Sequence, residues 1–283
     1  MANKFDFLDY PDGSRKIQKV AIPKIGGLAV ALVFSISSLS IPFIFSNNWN
    51  SDLFISIVLP ALLAGLIGFI DDIRSIAPIL RIGLQVLIGA CALIFGTQVS
   101  IFESEFINII CTLLWFVFLI NAFNLFDNAD GLASLTIIFS TIVGTLIAYL
   151  SGQTLVYILG ISLIGVTLGF LLYNWNPAKV YLGDSGVYFL ATVLGIFLIR
   201  IRPTNLDLNE SFLILILLVT IPIVDMTYVT FNRLRLGIHP FTAGRDHLSH
   251  LLNSRGFSIK KSVIILQLFH ILFCLIALFI FLI

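Results

Sequence analysis

Long apolar runs, broken by short polar connections, repeat along the whole chain and set its architecture. About 20 helical residues are needed to cross a hydrocarbon core of roughly 30 Å. Runs of about that length lie at residues 26–46, 53–70, 79–96, 106–123, 132–150, 154–173, 186–201, 211–231 and 262–283. Each is predicted to be a helix, so the expected fold is an all-α, polytopic membrane helical bundle of about nine transmembrane helices. Gly65, Gly68, Gly195 and Pro222 fall inside these runs, which membrane helices tolerate better than soluble ones do. No internal repeat or low-complexity tract divides the chain, and residues 1–283 read as a single transmembrane domain.

Composition agrees with the pattern. Hydrophobic residues make up 59% and charged residues 11% of the 283, and the mean hydropathy is +1.07, which excludes an ordinary water-soluble domain. The polar stretch Met1–Asp9 shows no cleavable signal peptide. Net charge, +1, says little, whereas its distribution says a great deal. With the N-terminus inside and the runs alternating, all of the 16 Lys and Arg except Arg200 and Arg202 fall on one side. The positive-inside rule then predicts N-terminus in and C-terminus out. Cys91, Cys111 and Cys274 lie in apolar runs without metal-ligand spacing and read as buried free thiols.

The polar residues of interest gather at the predicted cytoplasmic ends. Asp71 and Asp72 close an apolar run and are followed by Arg74; two adjacent carboxylates at membrane depth are costly unless they face protein, water, a cation or a proton path. Solvation of a helix end with Arg74 as partner is the plainer reading. The connection Asn121–Ala133 holds Asn121, Asn124, Asp127 and Asp130 and no basic residue. The spacing of three within each pair places its members on one helix face. Carboxylates without a local cation predict an external one, most simply a divalent metal with oxygen ligands. In Tyr173–Gly186, Asn174 precedes Gly183-Asp184-Ser185-Gly186, where glycines permit close backbone approach and helix-start amides attract phosphate. An ordinary helix cap explains that tetrad equally well on its own.

The largest inner connection, residues 232–261, is basic and contains Arg233, Arg235, His239, Arg245, Asp246, His247, His250 and Arg255. Such donors suit a diphosphate held against metal ions, or the loop is simply an anchor on anionic headgroups. Asp225, inside an apolar run, must face the bundle interior, with a structural role favoured. His270, in the last run, reads as a packing residue.

In order along the chain, Asp9-Tyr10-Pro11, Arg15-Lys16, Pro23-Lys24-Ile25-Gly26-Gly27, Asp71-Asp72, Asn121–Ala133, Asn174, Gly183–Gly186, Pro222–Asp225 and Gly244–His250 resemble the motifs of the polyprenyl-phosphate N-acetylhexosamine-1-phosphate transferases, glycosyltransferase family 4. The resemblance implies transfer of a sugar 1-phosphate from a UDP-N-acetylhexosamine to a polyprenyl phosphate at the cytoplasmic face, with release of UMP and dependence on Mg2+ or Mn2+. It implies Asp184 as metal ligand. Asp71 and Asp72 would act on the lipid phosphate or its proton, and Asp127 and Asp130, with Asn121 and Asn124, would bind the nucleotide and order the site. Asn174, Arg245, His247 and His250 would serve the diphosphate. All five aspartates are expected to converge on one cation. Implied partners are the nucleotide sugar, the polyprenyl lipid and membrane lipids; a homodimer is compatible, and nothing points to nucleic acid.

Undecaprenyl-phosphate GlcNAc-1-phosphate transferases fit better than the phospho-MurNAc-pentapeptide translocases, because Arg74 follows the aspartate pair and a run of histidines is missing from the last loop. Departures are Gln18 in place of a common His, Val187 in place of a common Ser, and Ser249 between histidines. The family's first helix, which precedes the Asp-x-Pro segment, is expected either to be absent or to have been lost with a truncated start. The competing readings are a secondary transporter, which would carry its carboxylates near the midplane of interrupted repeats, and a catalytically silent member of the family. Sugar epimer and a one-step or two-step reaction stay open.

Overall fold

The computed structural model describes residues 7–11, 20–45, 51–203, 206–242 and 244–283; Arg15, Lys16 and Gln18 lie outside them. Two short strands, β1 (Leu8–Asp9) and β2 (Ile22–Pro23), precede eleven helices: α1 (Gly26–Phe45), α2 (Ser51–Ile73), α3 (Pro78–Ile94), α4 (Glu105–Phe126), α5 (Leu132–Leu150), α6 (Thr154–Asn174), α7 (Gly183–Arg200), α8 (Leu208–Leu217), α9 (Thr220–Arg235), α10 (Leu248–Ser254) and α11 (Ile259–Leu282). The expected all-helical bundle is present, and helix covers most of each predicted run. Among the described residues, 6 helices are long and apolar enough to cross a membrane, or 7 if the bent pair α8–α9 counts as one. The stretches Gly26–Ser40 and Pro78–Ile94 are apolar but shorter, and the expected count of nine depends on them.

One predicted run differs in kind. Residues 211–231 do not form a continuous helix; α8 and α9 meet at 71°. Pro222 explains where this happens, because it has no amide hydrogen for the carbonyl of Leu218, four residues earlier. Val219 leaves helical geometry at φ −130° and ψ 19°.

Helix α7 is the axis of the bundle. Every residue from Ser185 to Ile199 is buried, and α2, α4, α1, α5 and α6 all pack against it. An all-round apolar helix is what a position enclosed on every side requires. Two glycines set how closely its neighbours approach. A methyl carbon on Gly27 of α1 would lie 2.2 Å from the Gly186 nitrogen, and one on Gly68 of α2 would lie 2.3 Å from the Asp184 carbonyl oxygen. Backbone atoms cannot swing aside as side chains do.

The two strands pair antiparallel, Leu8 with Pro23 and Asp9 with Ile22. The strip continues into the start of α7: Tyr181 donates its amide to Pro23 O (2.8 Å), and Gly26 and Gly27 donate theirs to Tyr181 O (3.1 Å) and Leu182 O (2.9 Å). Lys24, next to the strip, pairs with Asp9 at 3.2 Å. At the opposite end of α7, the Arg200 guanidinium binds Thr97 Oγ1 (2.9 Å) and Ser56 Oγ (2.8 Å). The charged residues of the two helix ends therefore do different work, carboxylates at one and a neutral-partnered guanidinium at the other.

Gly68→Ala is expected to force α2 away from α7 and cost about 1–3 kcal/mol. A lowered melting temperature in detergent, with the same change at exposed Gly83 nearly silent, is the outcome to look for; equal effects would contradict the close approach.

Candidate active site

The site is built on the first turn of α7. Asp72, at the end of α2, accepts the amides of Asp184 (3.1 Å) and Ser185 (3.0 Å). Free amides at a helix start favour a negative partner, so a carboxylate from another helix caps this one and fixes the direction of Asp184. Asn124, in the last turn of α4, donates its Nδ2 to Asp184 Oδ1 at 2.7 Å. Three helices thus meet on one carboxylate. Lys24 is near enough to interact electrostatically with both Asp72 and Asp184.

Asp127 follows immediately on α4; its amide donates to Phe123 O at 2.9 Å, and none of the described residues donates to its carboxyl. Its carboxyl is pushed up to about 7, first by burial and then by the fields of Asp184, Asp130 and Asp72. Tyr181, beside the same charges, is pushed up by burial and by Asp130, Asp9 and Asp127, and keeps its phenolic proton.

The remaining predicted residues divide sharply. Asp71 is buried and fully engaged: Oδ1 accepts the Ile76 amide (2.7 Å), and Oδ2 accepts from the Tyr188 hydroxyl (3.0 Å) and pairs with Arg81 (3.5 Å). This settles the expected ion pair of the adjacent aspartates on Arg81, not Arg74. Asp130 Oδ2 accepts from Asn176 Nδ2 (2.8 Å) and the Ala178 amide (3.0 Å), holding the turn before α7. Asn174 joins the same turn to α5, accepting from the Gly131 amide (3.0 Å) and donating to Val180 O (3.1 Å). Asn121 donates to Gln85 Oε1 (2.5 Å) and Val117 O (2.7 Å), linking α4 to α3.

A second group comes from the basic connection. Asp225, fully buried in α9, accepts from His247 Nδ1 (2.7 Å) and from the Leu248 amide (2.7 Å). The partner of Asp225 is a histidine: the bond fixes the His247 tautomer and leaves Nε2 for other work. Arg233 grips Asp246 with two bonds (2.8 and 2.7 Å), which hold the Asp246 carboxyl below the ordinary range. His250 stacks edge-on to His247 with ring centroids 5.6 Å apart. Burial first, then the charges of His247 and Arg245, lower its pKa and keep it neutral near pH 7. Ser249 donates to Asn128 Oδ1, so the residue between the two histidines ties their loop to the one carrying Asp127 and Asp130. Arg245 is exposed on the same connection.

Among the described residues no three His, Cys, Asp or Glu side chains form a group that could hold a metal ion. The five aspartates lie within reach of one another's charge, Asp184, Asp130 and Asp72 acting on Asp127 and Asp72 and Asp71 on Asp184, but Asp71 and Asp130 are turned to donors of their own. Oxygens without a protein donor remain on Asp184, Asp127 and Asn124. They are hard ligands in a surplus of negative charge, which suits an ion that takes one or two carboxylates and completes its shell with phosphate and water.

Residues 54–202 match the sequence model of glycosyl transferase family 4. The chain belongs to that family. A Bacillus subtilis (strain 168) protein named "Probable undecaprenyl-phosphate N-acetylglucosaminyl 1-phosphate transferase" is 29% identical over 96% of the chain and 77% of its own length. The Thermotoga maritima undecaprenyl-phosphate alpha-N-acetylglucosaminyl 1-phosphate transferase is 29% identical over 98% of the chain and 83% of its own length. A Streptococcus pneumoniae (strain D39) phospho-N-acetylmuramoyl-pentapeptide-transferase is 35% identical over 62% of the chain, which spans 58% of that relative. The family resemblance of the motifs is thereby confirmed. Lys24 and Tyr181 stand at the site although sequence reasoning gave them no role there; both sit in quoted motifs, and only the β-strip shows where they go.

The Asp127 shift gives this member of the family a testable pH response. A carboxyl whose ordinary value is about 4 and whose folded value is about 7 takes up a proton on folding. Its stabilising contribution is complete below the ordinary value and is lost as pH rises through about 7. Thermal melts in EDTA should therefore fall between pH 5 and 8, and Asp127→Asn should flatten that fall; an unchanged slope would contradict the assignment.

Proposed function

We propose that the chain transfers a sugar 1-phosphate from a UDP-N-acetylhexosamine, UDP-GlcNAc, to undecaprenyl phosphate. A phosphate oxygen of the lipid attacks the β-phosphorus, the bond from that phosphorus to the bridging oxygen breaks, and UMP leaves with that oxygen as polyprenyl-diphosphate sugar forms. The single observation that carries this reading is the meeting of Asp72, the start of α7, Asp184 and Asn124 beside Asp127, a carboxyl to which none of the described residues donates. That arrangement, in a chain similar over most of its length to two proteins named for undecaprenyl-phosphate substrates, suits two phosphates and a cation.

Asp184, Asp127 and Asn124 would hold Mg2+, which neutralises phosphate charge and aligns attacking and leaving oxygens when bound. Asp72 orients Asp184 and directs two amides of the helix start into the same turn. Lys24 offsets part of the carboxylate charge. The proton that burial and acidic neighbours favour on Asp127 would be given up when the cation binds there. His247, its Nδ1 fixed by Asp225, and the neutral His250 present donors from the opposite connection. An apolar groove between α4 and α9, lined by Phe118, Met226, Thr227, Thr230, Phe231 and Leu234, suits a polyprenyl chain. The basic residues on the same ends support a cytoplasmic site.

Purified protein with radiolabelled UDP-GlcNAc, undecaprenyl phosphate and Mg2+ should yield labelled lipid and UMP, with the signal lowered at least about a hundredfold by Asp184→Asn. Label accumulating inside liposomes without a lipid product would favour a transporter instead, and no product from either assay would sink the reading. Mg2+ should also raise the melting temperature of the wild type at pH 8 and leave Asp184→Asn unmoved.

A further inference from the structure

Between α5, α11 and the α8–α9 break lies a buried polar cluster that the proposed chemistry does not use. Pro222 deprives the Leu218 carbonyl of its helical donor, and Leu218 is fully buried, where an unmet carbonyl is costly in a membrane. The missing donor comes from another helix: Ser140 of α5 places its hydroxyl 2.5 Å from Leu218 O. The same oxygen lies 2.8 Å from Thr136 O and 3.0 Å from His270 Nε2 of α11.

A hydroxyl has one hydrogen to give. If it goes to Leu218 O, the ring must donate back, and His270 Nε2–H is placed to do so, lying also 3.2 Å from Thr136 O. That tautomer leaves Nδ1 as a bare lone pair, and Nδ1 is buried with no partner among the described residues. Gln267, one turn earlier on α11, donates Nε2 to Thr136 Oγ1 (2.8 Å) and Leu132 O (3.1 Å), locking α11 to the start of α5. The bonds of Ser140 and His270 hold the ring and the hydroxyl against the break, with Cys274 Sγ also 3.5 Å from His270 Nε2.

We propose that Ser140 and His270 act as a pin that replaces the hydrogen bond removed by Pro222 and fixes the angle between α8 and α9. They are positioning residues. Helix α9 carries both Asp225, which orients His247, and Arg233, which grips Asp246, so the angle at the break decides where the histidine connection stands over the aspartates. The sequence reading of His270 as a packing residue misses this, because Ser140 is 130 residues away.

The pin is tested without reference to turnover. Spin labels at Asn209→Cys of α8 and Arg235→Cys of α9, with Cys91 and Cys111 replaced by Ala and buried Cys274 kept, report the break as a distance distribution. The parent should give one narrow distribution, Ser140→Ala a broad one, and Ser140→Thr, which keeps the hydroxyl, the narrow one again. Should Ser140→Ala not fold, His270→Leu, which leaves the hydroxyl but removes its companion, carries the same comparison. A narrow, unshifted distribution in Ser140→Ala or, in its place, His270→Leu overturns the pin. The activity arm rests on the proposed function: KM for UDP-GlcNAc should rise about two- to tenfold, the worth of one net hydrogen bond, with kcat less affected and Ser140→Thr close to the parent. Absence of transferase activity in the parent would count against that function, whereas the distances would still decide the pin.

Discussion

The capping of α7 by Asp72 is the interaction on which the site depends. A helix buried on every side leaves its first amides no water to bind, and in a membrane protein such groups must find partners within the fold. Asp72 satisfies two of them at 3.1 and 3.0 Å, which it can do only because Gly68, one turn earlier, lets α2 touch the α7 backbone. The same two bonds that complete the fold thus present Asp184. Stability and chemistry share one contact, and a change at either helix disturbs both.

Charge around this contact is arranged in layers of increasing freedom. Asp71 and Asp130 are committed to donors of their own, Asp72 to amides, and Asp184 on one oxygen to Asn124, leaving Asp127 with no donor among the described residues. The least satisfied carboxyl is the one pushed furthest toward neutrality among those outside the membrane helices, to about 7. Such a graded set, with Lys24 close by, leaves one group able to trade its proton for a cation while its neighbours stay fixed. The histidine connection follows the opposite plan, with its acids, Asp225 and Asp246, used to orient basic groups.

Much of this was legible in the sequence, for physical reasons that differ between levels. Apolar runs near membrane length have few alternatives to helix, so the helices of the bundle stand where hydropathy puts them. Hydropathy is blind to the break at residues 217–220, since Leu218 and Val219 are as apolar as their neighbours; only Pro222 signals it. Strands of two residues have no periodicity to detect, and with them the places of Lys24 and Tyr181 were hidden. The clusters at Asp72, Asp127 and Asp184 could be read from the cost of charge at helix ends. Which aspartates are committed could not, because the donors to Asp130 come from Asn176 and Ala178 and a donor to Asp71 from Tyr188, in another part of the chain.

The division between committed and available carboxylates is the central claim, and cation affinity tests it most directly. Mn2+ binding to the purified protein, followed by electron paramagnetic resonance with UDP-GlcNAc present, should weaken at least about tenfold in Asp184→Asn and in Asp127→Asn. Asp130→Asn, whose Oδ can still serve the turn at Asn176 and Ala178, should bind nearly as the parent does. Equal loss in all three variants, or undiminished binding in Asp184→Asn, would contradict it.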